Sequence, residues 1–306
     1  MNIVNTIIPI FSIIVLGWIA YRRGFIPDTF ITPANRLVYY LAIPAMIFRA
    51  ITRNSFHQYF NLKVVILAFI SMFLVFLFAW GAGKMLRLTK GYLATFVQSS
   101  FHCNIGYLAL AVAYYYLGDD GFARAGIFAG FVMIFQNFLS VIILNLYSTK
   151  QASNKKALLM VSRIFGNPII ISAAAGIFFS LAGITIPLLI SRSLDILSGL
   201  ALPTALLIIG ATLSFDLMQK NLSQVIETTL IKLLGLPCIS FLLFYLADIP
   251  KSEFLPAFIL LASPTATITY VMAKEMEGDA EFAVAAISLN TLLSSVTYTF
   301  WLSILA

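Results

Sequence analysis

The sequence LAIP at residues 41–44 returns as LALP at residues 200–203, a shift of 159 residues. Most of the other residues that this shift matches are Pro or Gly. The matched pairs are Pro9 and Pro168, Ile10 and Ile169, Gly17 and Gly176, Gly24 and Gly183, and Asp120 and Asp279. Pro and Gly control backbone shape, so a shared apolar composition explains the matches poorly. The sequence therefore predicts a duplicated fold, with a first repeat at 1–147, a linker at 148–163 and a second repeat at 164–306.

The composition predicts a membrane protein with many spans. Hydrophobic residues make up 61% of the 306 residues and charged residues 10%, whereas a soluble domain carries about 25% charged residues. Each span needs about 20 residues, so the chain accommodates about ten spans. Breaks at charged residues, Gly and Pro place them at 3–21, 35–52, 62–86, 92–117, 122–147, 164–183, 190–214, 222–247, 254–275 and 280–304.

Five predicted spans in each half make the duplication an inverted one. An odd number of spans obliges the second copy to enter the bilayer from the opposite side, which is the architecture of many secondary transporters. The predicted fold class is all-α: a polytopic membrane protein with ten transmembrane helices in two inverted five-helix repeats.

The basic residues predict a multi-pass protein of the plasma (cell inner) membrane with both termini outside. Basic residues are retained on the cytoplasmic side, and an outside amino terminus puts twelve Lys and Arg residues inside, against six outside. The six are Arg49, Arg53, Lys63, Arg124, Arg192 and Lys251. The linker is then cytoplasmic. The net charge of +7 follows from this topology and from contact with anionic lipid, so membrane lipid is an expected partner and nucleic acid is not.

Polar patches interrupt predicted spans 4 and 9 at related places. Residues 98–107 read QSSFHCNIGY and residues 263–267 read SPTAT, and the shift of 159 maps Asn104 onto Ser263. Pro264 predicts a broken helix, and Asn104 with Gly106 permits the same in span 4. The alternative is that these polar residues only join neighbouring helices. Paired breaks in two repeats favour a binding site where the broken helices cross at the midplane.

Half-helices that begin at these breaks would bring partial positive charge to the midplane, which suits an anion. Asn104 offers an amide donor, and Ser263 and Thr265 offer hydroxyl groups. We therefore expect a carboxylate to bind there without a buried counter-charge. The predicted substrate-binding residues are Asn104, Ile105, Gly106, Ser263, Pro264 and Thr265.

Two ionisable residues inside spans are candidates for coupling, because a charge at this depth is costly. Lys232 lies about ten residues into span 8, and the alternative is that its side chain reaches toward the inner surface. His102 adjoins the break and titrates near neutrality, and the alternative is a neutral, hydrogen-bonded ring. The remaining polar positions are interpreted as packing or supporting groups: Asp195, Gln136, Asn137, Asn290 and Thr291. Pro44 and Pro203 are expected to kink spans 2 and 7.

No motif points to an enzyme. Cys103 and Cys238 lie in apolar stretches, which favours small buried residues over a disulfide or a metal site. The sequence contains no P-loop, zinc signature or nucleophile elbow. We expect no cofactor, no metal site and no catalytic residue.

Several motifs together resemble the auxin efflux carrier family, including its prokaryotic members. They are LAIPAMIFR at 41–49, NIGY at 104–107, LGDDG at 117–121, ASPTA at 262–266 and TLLS at 291–294. The resemblance implies a ten-helix inverted-repeat fold in which broken helices 4 and 9 cross. It also implies organic anions, such as auxins or small dicarboxylates, as substrates. Cys103 stands where the plant pattern has Pro, and Thr265 where it has Asn, which argues against auxin itself.

The predicted function is a secondary carrier that moves a small organic anion by alternating access. The alternatives are an anion channel and an intramembrane enzyme, for which Cys103 beside His102 is the candidate pair. A homodimer, the direction of transport and the coupling ion stay open. Aligning the two interrupted motifs pairs Asn104 with Thr265, a shift of 161 instead of 159, so the local register of the repeat is open as well.

Overall fold

The chain folds into packed helices. The computed structural model describes residues 3–53, 56–148 and 166–306, and no strand occurs among them. Six helical stretches of these residues are long and apolar enough to cross a membrane, which confirms an all-α polytopic membrane protein. They are Ile3–Arg22, Leu62–Met85, Ile105–Tyr147, Leu188–Ala211, Val225–Leu246 and Ala280–Ile304. Apart from Ser148, the predicted linker at 148–163 lies outside the described residues.

The first half contains seven α-helices and two π-helical turns. The helices are α1 Ile3–Arg22, α2 Asp28–Leu37, α3 Ile43–Thr52, α4 Phe56–Tyr59, α5 Leu62–Met85, α6 Lys90–Phe101 and α7 Leu110–Tyr147. The π turns are Val38–Ala42 and Ile105–Ala109. Gly118 interrupts α7 with φ 70° and ψ −168°, between the predicted ends of spans 4 and 5. Asn61 caps α5, because its side-chain oxygen accepts the Lys63 N–H at 2.8 Å.

The second half is divided in a similar way. Its described helices are α8 Pro168–Leu181, α9 Leu188–Ser198, α10 Ala201–Ala211, α11 Phe215–Lys220, α12 Leu222–Leu230, α13 Leu236–Leu246, α14 Lys251–Leu261, α15 Ile268–Glu275 and α16 Ala280–Ile304. A π turn at Ile231–Gly235 joins α12 to α13. The Asn167 side chain caps α8 and the Asp279 side chain caps α16. Each supplies an acceptor for an N–H that the helix itself leaves unpaired.

The paired prolines follow interruptions, as the sequence predicts. Pro44 comes directly after the π turn that joins α2 to α3, and Pro203 lies in the first turn of α10, after the break between α9 and α10. A proline cannot donate the backbone hydrogen bond that an uninterrupted helix needs at that position.

The turns of the two halves share their unusual backbone. Six described residues have a left-handed φ, and they fall into three pairs that are 159, 161 and 159 residues apart. The pairs are Gly24 and Gly183, Arg87 and Asp248, and Gly118 and Glu277. Left-handed φ is uncommon outside glycine, so its recurrence at this spacing is not a by-product of helical composition.

Two glycine contacts exchange the halves. A Cβ on Gly17 of α1 would lie 2.3 Å from the Leu207 oxygen of α10, and one on Gly176 of α8 would lie 3.5 Å from the Phe48 oxygen of α3. Gly17 and Gly176 differ by 159 residues, as do Phe48 and Leu207. The packing of α1 on α10 is therefore repeated by α8 on α3, with the roles of the halves reversed. Small residues allow both backbones to approach closely.

The helices form two packed groups. In the first, α1 packs on α10, and α3 packs on α8 and α9. In the second, α7 packs on α6 and α14, while α5 packs on α6 and α13, and α16 contacts α12 and α15. Contacts of α7 with α3 and α8 join the groups. The two interrupted segments, between α6 and α7 and between α14 and α15, belong to the second group.

Candidate functional site

The two interrupted segments cross and pair through their backbones. Cys103 and Thr265 form an isolated antiparallel bridge. Its two hydrogen bonds run from the Asn104 N–H to the Pro264 oxygen at 2.8 Å and from the Ala266 N–H to the His102 oxygen at 3.0 Å. The breaks thus satisfy part of each other's backbone, which a buried interruption requires.

The bridge sets a local register between the halves. An antiparallel bridge has a local two-fold axis, and here that axis exchanges Cys103 with Thr265 and Asn104 with Ala266. The local shift is 265 − 103, or 162 residues. It differs from the 159 of the flanking helices and from the 161 of the motif alignment, which leaves the crossing segments three residues out of step with the helices that carry them.

Side chains from the helices around the crossing hold both segments. Gln136 of α7 accepts the Cys103 N–H at 3.0 Å and donates to the Cys103 oxygen at 3.2 Å. Thr265 donates its hydroxyl proton to the Ser99 oxygen at 2.7 Å and accepts from the Asn290 amide at 2.8 Å. Gln136 and Asn290 therefore occupy the supporting positions that the sequence predicts for them.

Asn104 differs from the other predicted donors. Its side chain is 4% exposed, and its Nδ2 has no hydrogen-bond partner among the described residues. Ser263 instead donates to the Leu260 oxygen at 2.7 Å, and the Thr265 proton goes to Ser99. A hydroxyl group has one proton to donate. The expectation that Ser263 and Thr265 donate to a ligand therefore changes, and Asn104 alone of the three keeps a donor for it.

The segment after Asn104 faces the first helix group. Ile105 and Gly106 open the π turn, and a Cβ on Gly106 would lie 3.1 Å from the Ile169 side chain of α8. Tyr107 donates its hydroxyl hydrogen bond to the Asn35 side chain of α2. The sequence analysis missed Asn35 and Tyr107. Both are polar residues within two otherwise apolar predicted spans, which is the signal that identified Asn104.

Lys232 is buried beside the crossing and does not reach toward a membrane surface. Its side chain is fully buried, with Nζ 3.1 Å from the Leu261 oxygen and 3.1 Å from the Cys103 sulfur. The alternative of a snorkelling side chain is therefore wrong. Leu261 ends α14, and Cys103 lies just beyond the end of α6. The ammonium thus lies where two helix carboxyl ends converge, and these ends carry partial negative charge.

His102 is held in the packed interior. It is 1% exposed, and its Nδ1 lies 2.9 Å from the Ser140 oxygen. Ser140 gives its own proton to the Gln136 oxygen at 2.7 Å. Ser140 must then accept from His102, which places the ring proton on Nδ1. This arrangement favours the neutral, hydrogen-bonded histidine of the two readings offered by the sequence.

The two cysteines have different surroundings. Cys103 is 1% exposed, as expected, and its sulfur contacts Lys232 and not the His102 ring. Cys238 is exposed on α13, so the expectation that it is buried is wrong. The apolar stretch that surrounds Cys238 in the sequence is a membrane-span candidate, and such a helix exposes an apolar face to lipid.

Asp195 was expected to be a packing group, but it pairs with two arginines. Its carboxylate accepts from Arg49 Nε at 2.8 Å and Arg49 Nη2 at 3.0 Å, and from Arg53 Nη2 at 3.1 Å. Arg49 and Arg53 are one helical turn apart, so they share a face. Their partner is 146 residues away in the sequence, which is why the sequence alone gave no sign of the pair.

Comparison with known proteins agrees with this architecture. Residues 2–302 match the family described as "Membrane transport protein", a match that covers nearly the whole chain. The chain belongs to the auxin efflux carrier family. Members of the auxin efflux carrier family are membrane transport proteins, so the chain is an integral membrane protein of a transporter family.

Relatives in the auxin efflux carrier family extend over the full length of the chain. One is a protein of Rhizobium meliloti named "Putative malonate transporter", 26% identical over 97% of this chain and 94% of that protein. Another is "Uncharacterized transporter MJ1031" of Methanocaldococcus jannaschii, 25% identical over 97% of each chain. A third is "Uncharacterized transporter YfdV" of Escherichia coli, 24% identical over 98% of this chain and 96% of that protein.

Proposed function

We propose that this protein is a secondary carrier that moves a small organic anion, a carboxylate, across the plasma membrane by alternating access. The observation that carries the proposal is the Asn104 amide, buried and without a protein partner, at the crossing of two broken helices. Crossed half-helices in a membrane protein are the usual setting of a transported solute.

The proposal includes ten spans in two inverted repeats. The left-handed turns spaced by 159 residues support it, and so do the exchanged glycine contacts. A pair of contacts that swap halves is what a two-fold axis between the repeats produces. With five spans in each repeat, that axis lies in the membrane plane, and both termini are outside.

The substrate class follows from the donors at the crossing. The chain turns back into helix at Ile105 and again at Ile268, and a helix that begins there directs N–H groups and partial positive charge toward the crossing. Asn104 Nδ2 adds a neutral donor. Such a site binds a carboxylate without a buried cation of its own. The Rhizobium meliloti relative carries malonate in its name, and we therefore propose a small dicarboxylate as the first substrate to test.

We assign coupling to Lys232 before His102. Among the described residues, no carboxylate forms an ion pair with Lys232, and its ammonium contacts the Leu261 carbonyl oxygen at the end of α14. Transporters with crossed half-helices bind coupling ions at such carboxyl ends. A lysine there supplies the positive charge itself and can change it by losing a proton.

The test is Asn104→Ala with purified protein. We expect malonate binding to weaken by the contribution of a charge-assisted hydrogen bond, about 1.5–3 kcal/mol or roughly ten- to a hundredfold. Binding is measured from the ligand-dependent rise in thermal stability, and transport from saturable counterflow in liposomes.

The matched control is Asn137→Ala. Asn137 lies on α7 near Gln136, but its amide donates to the Met133 oxygen of its own helix at 2.7 Å. We expect this variant to bind malonate like the parent. If Asn104→Ala binds and transports like the parent too, the crossing is only structural. If the parent binds no carboxylate from a panel of mono- and dicarboxylates, the proposed function is wrong.

A further inference from the structure

A cleft between the two helix groups contains the second cluster of charge in the molecule. It has a volume of about 370 Å³ and is lined by Arg49, Arg53 and Asp195 on one side. Tyr114, Tyr115 and Asp119 of α7 line the other side. The volume is within the range of small-molecule sites, about 300–1,000 Å³. The cleft opens on the side that the basic-residue count assigns to the outside.

Two guanidinium groups in the cleft share one carboxylate. Arg49 uses two of its nitrogens for Asp195, whereas Arg53 contacts Asp195 through Nη2 alone, at 3.1 and 3.3 Å. A guanidinium has five N–H donors, so Arg53 retains donors for a second anion. The pair of arginines already holds a planar carboxylate in a bidentate way, which is the recognition geometry that a substrate carboxylate needs.

The cluster is accessible and exchangeable. The side chains of Arg53 and Asp195 are 52% and 42% exposed, whereas that of Arg49 is 12% exposed. An ion pair at this exposure is weak, roughly 0–1 kcal/mol, so a dissolved carboxylate can compete with Asp195 for the arginines. The Tyr114 and Tyr115 rings form a wall opposite them.

We propose that this cleft is a second carboxylate site, at which the dicarboxylate substrate replaces Asp195 on Arg53 and Arg49 before it moves to the crossing. The inference rests on the proposed function. Tyr114 lies ten residues beyond Asn104 on the same helical segment, which separates the two sites by roughly 15 Å at 1.5 Å per residue. Asp195 returns to the arginines when the anion leaves, so they are not left without a counter-charge.

The sign of two substitutions tests the inference. Arg53→Gln removes a donor and should raise the half-saturating external malonate concentration for uptake by intact cells, by about two- to tenfold. Asp195→Asn removes the competing carboxylate charge and keeps the side-chain shape. It should lower that concentration by a factor in the same range. An ion pair with only a structural role predicts no tightening.

The control is Arg192→Gln, which removes an exposed positive charge three residues before Asp195 on α9, outside the cleft lining. It corrects for the general attraction of anions to that surface and should leave half-saturation within twofold. If Asp195→Asn does not tighten and Arg53→Gln does not weaken, the cleft site is refuted while the crossing stands. Failure of the parent to bind or transport malonate and other carboxylates refutes the proposed function instead.

Discussion

At the scale of single residues, Lys232 is the buried group with the clearest effect on transport. Its ammonium is surrounded by a helix-end carbonyl and the Cys103 sulfur, with no ion pair among the described residues. A buried, unpaired charge is costly and is retained where it has a role. The position therefore separates stability from coupling.

We expect Lys232→Met to remain folded and to bind malonate, while uptake loses its dependence on pH between about pH 6 and 8. Replacing a buried charge with an apolar side chain of similar length is often neutral or stabilising, so the apparent Tm should not fall. Uptake into proteoliposomes with an imposed pH gradient measures the coupling.

His102→Gln is the comparison for that experiment. The glutamine can keep a hydrogen bond to Ser140 but cannot titrate, so this variant should keep the pH dependence of the parent if Lys232 carries the proton. Loss of the pH dependence in His102→Gln, with retention in Lys232→Met, would transfer the coupling role to His102.

The sequence predicted some residues of the site but not their partners. Asn104 and Lys232 could be found because a polar group inside an apolar span is conspicuous by itself. The contact of Lys232 with Leu261, and that of Asp195 with Arg49, join residues 29 and 146 positions apart. Such distances in the chain are fixed by packing, which no local pattern reveals.

At the scale of elements, Thr265 joins three segments: it bonds the Ser99 oxygen of α6 and receives the Asn290 amide of α16. Thr265→Val removes both hydrogen bonds and leaves buried polar groups unpaired. We expect a loss of stability of about 1–3 kcal/mol, measured as a fall in apparent Tm. The affinity for malonate should fall less than in Asn104→Ala.

The control for this substitution is Thr299→Val on α16. The Thr299 hydroxyl bonds only the Ser295 oxygen of its own helix, at 2.8 Å, so the variant should lose little stability. An equal Tm for Thr265→Val and Thr299→Val would show that the crossing does not depend on the Thr265 contacts.

The breaks could be predicted as elements, whereas their register could not. Pro264 cannot continue a helix, and Asn104 with Gly106 weakens one. Nothing in the sequence specifies that the bridge pairs Cys103 with Thr265, because main-chain atoms make it. The three π turns were not predicted either, since no residue type requires one.

At the scale of the whole molecule, the proposed topology puts residue 151 inside and residue 252 outside. Gln151→Cys, in a background with Cys103→Ser and Cys238→Ser, should be protected from an impermeant thiol reagent in intact cells and react after lysis. Ser252→Cys, next to the outside Lys251, should react in both. The reverse pattern would invert the orientation.

The duplication could be predicted because Pro and Gly act on the backbone and leave a mark in the sequence. The division into two helix groups could not be predicted, because nearly every span is apolar on several sides and offers many packing partners. Gly17 and Gly176 show the difference: their repeat was visible, but not that each approaches the backbone of a helix from the other half.

The crossing bridge consists of main-chain atoms only. Side-chain substitutions at 103, 104, 265 or 266 leave its donors and acceptors in place, with proline at 104 or 266 as the exception, because those two residues donate. Evolution can therefore exchange the chemical groups that meet the cargo and keep the frame that presents them. A lineage can acquire a new nutrient without first surviving an unfolded intermediate, and laboratory libraries that randomise these positions together should yield many folded variants.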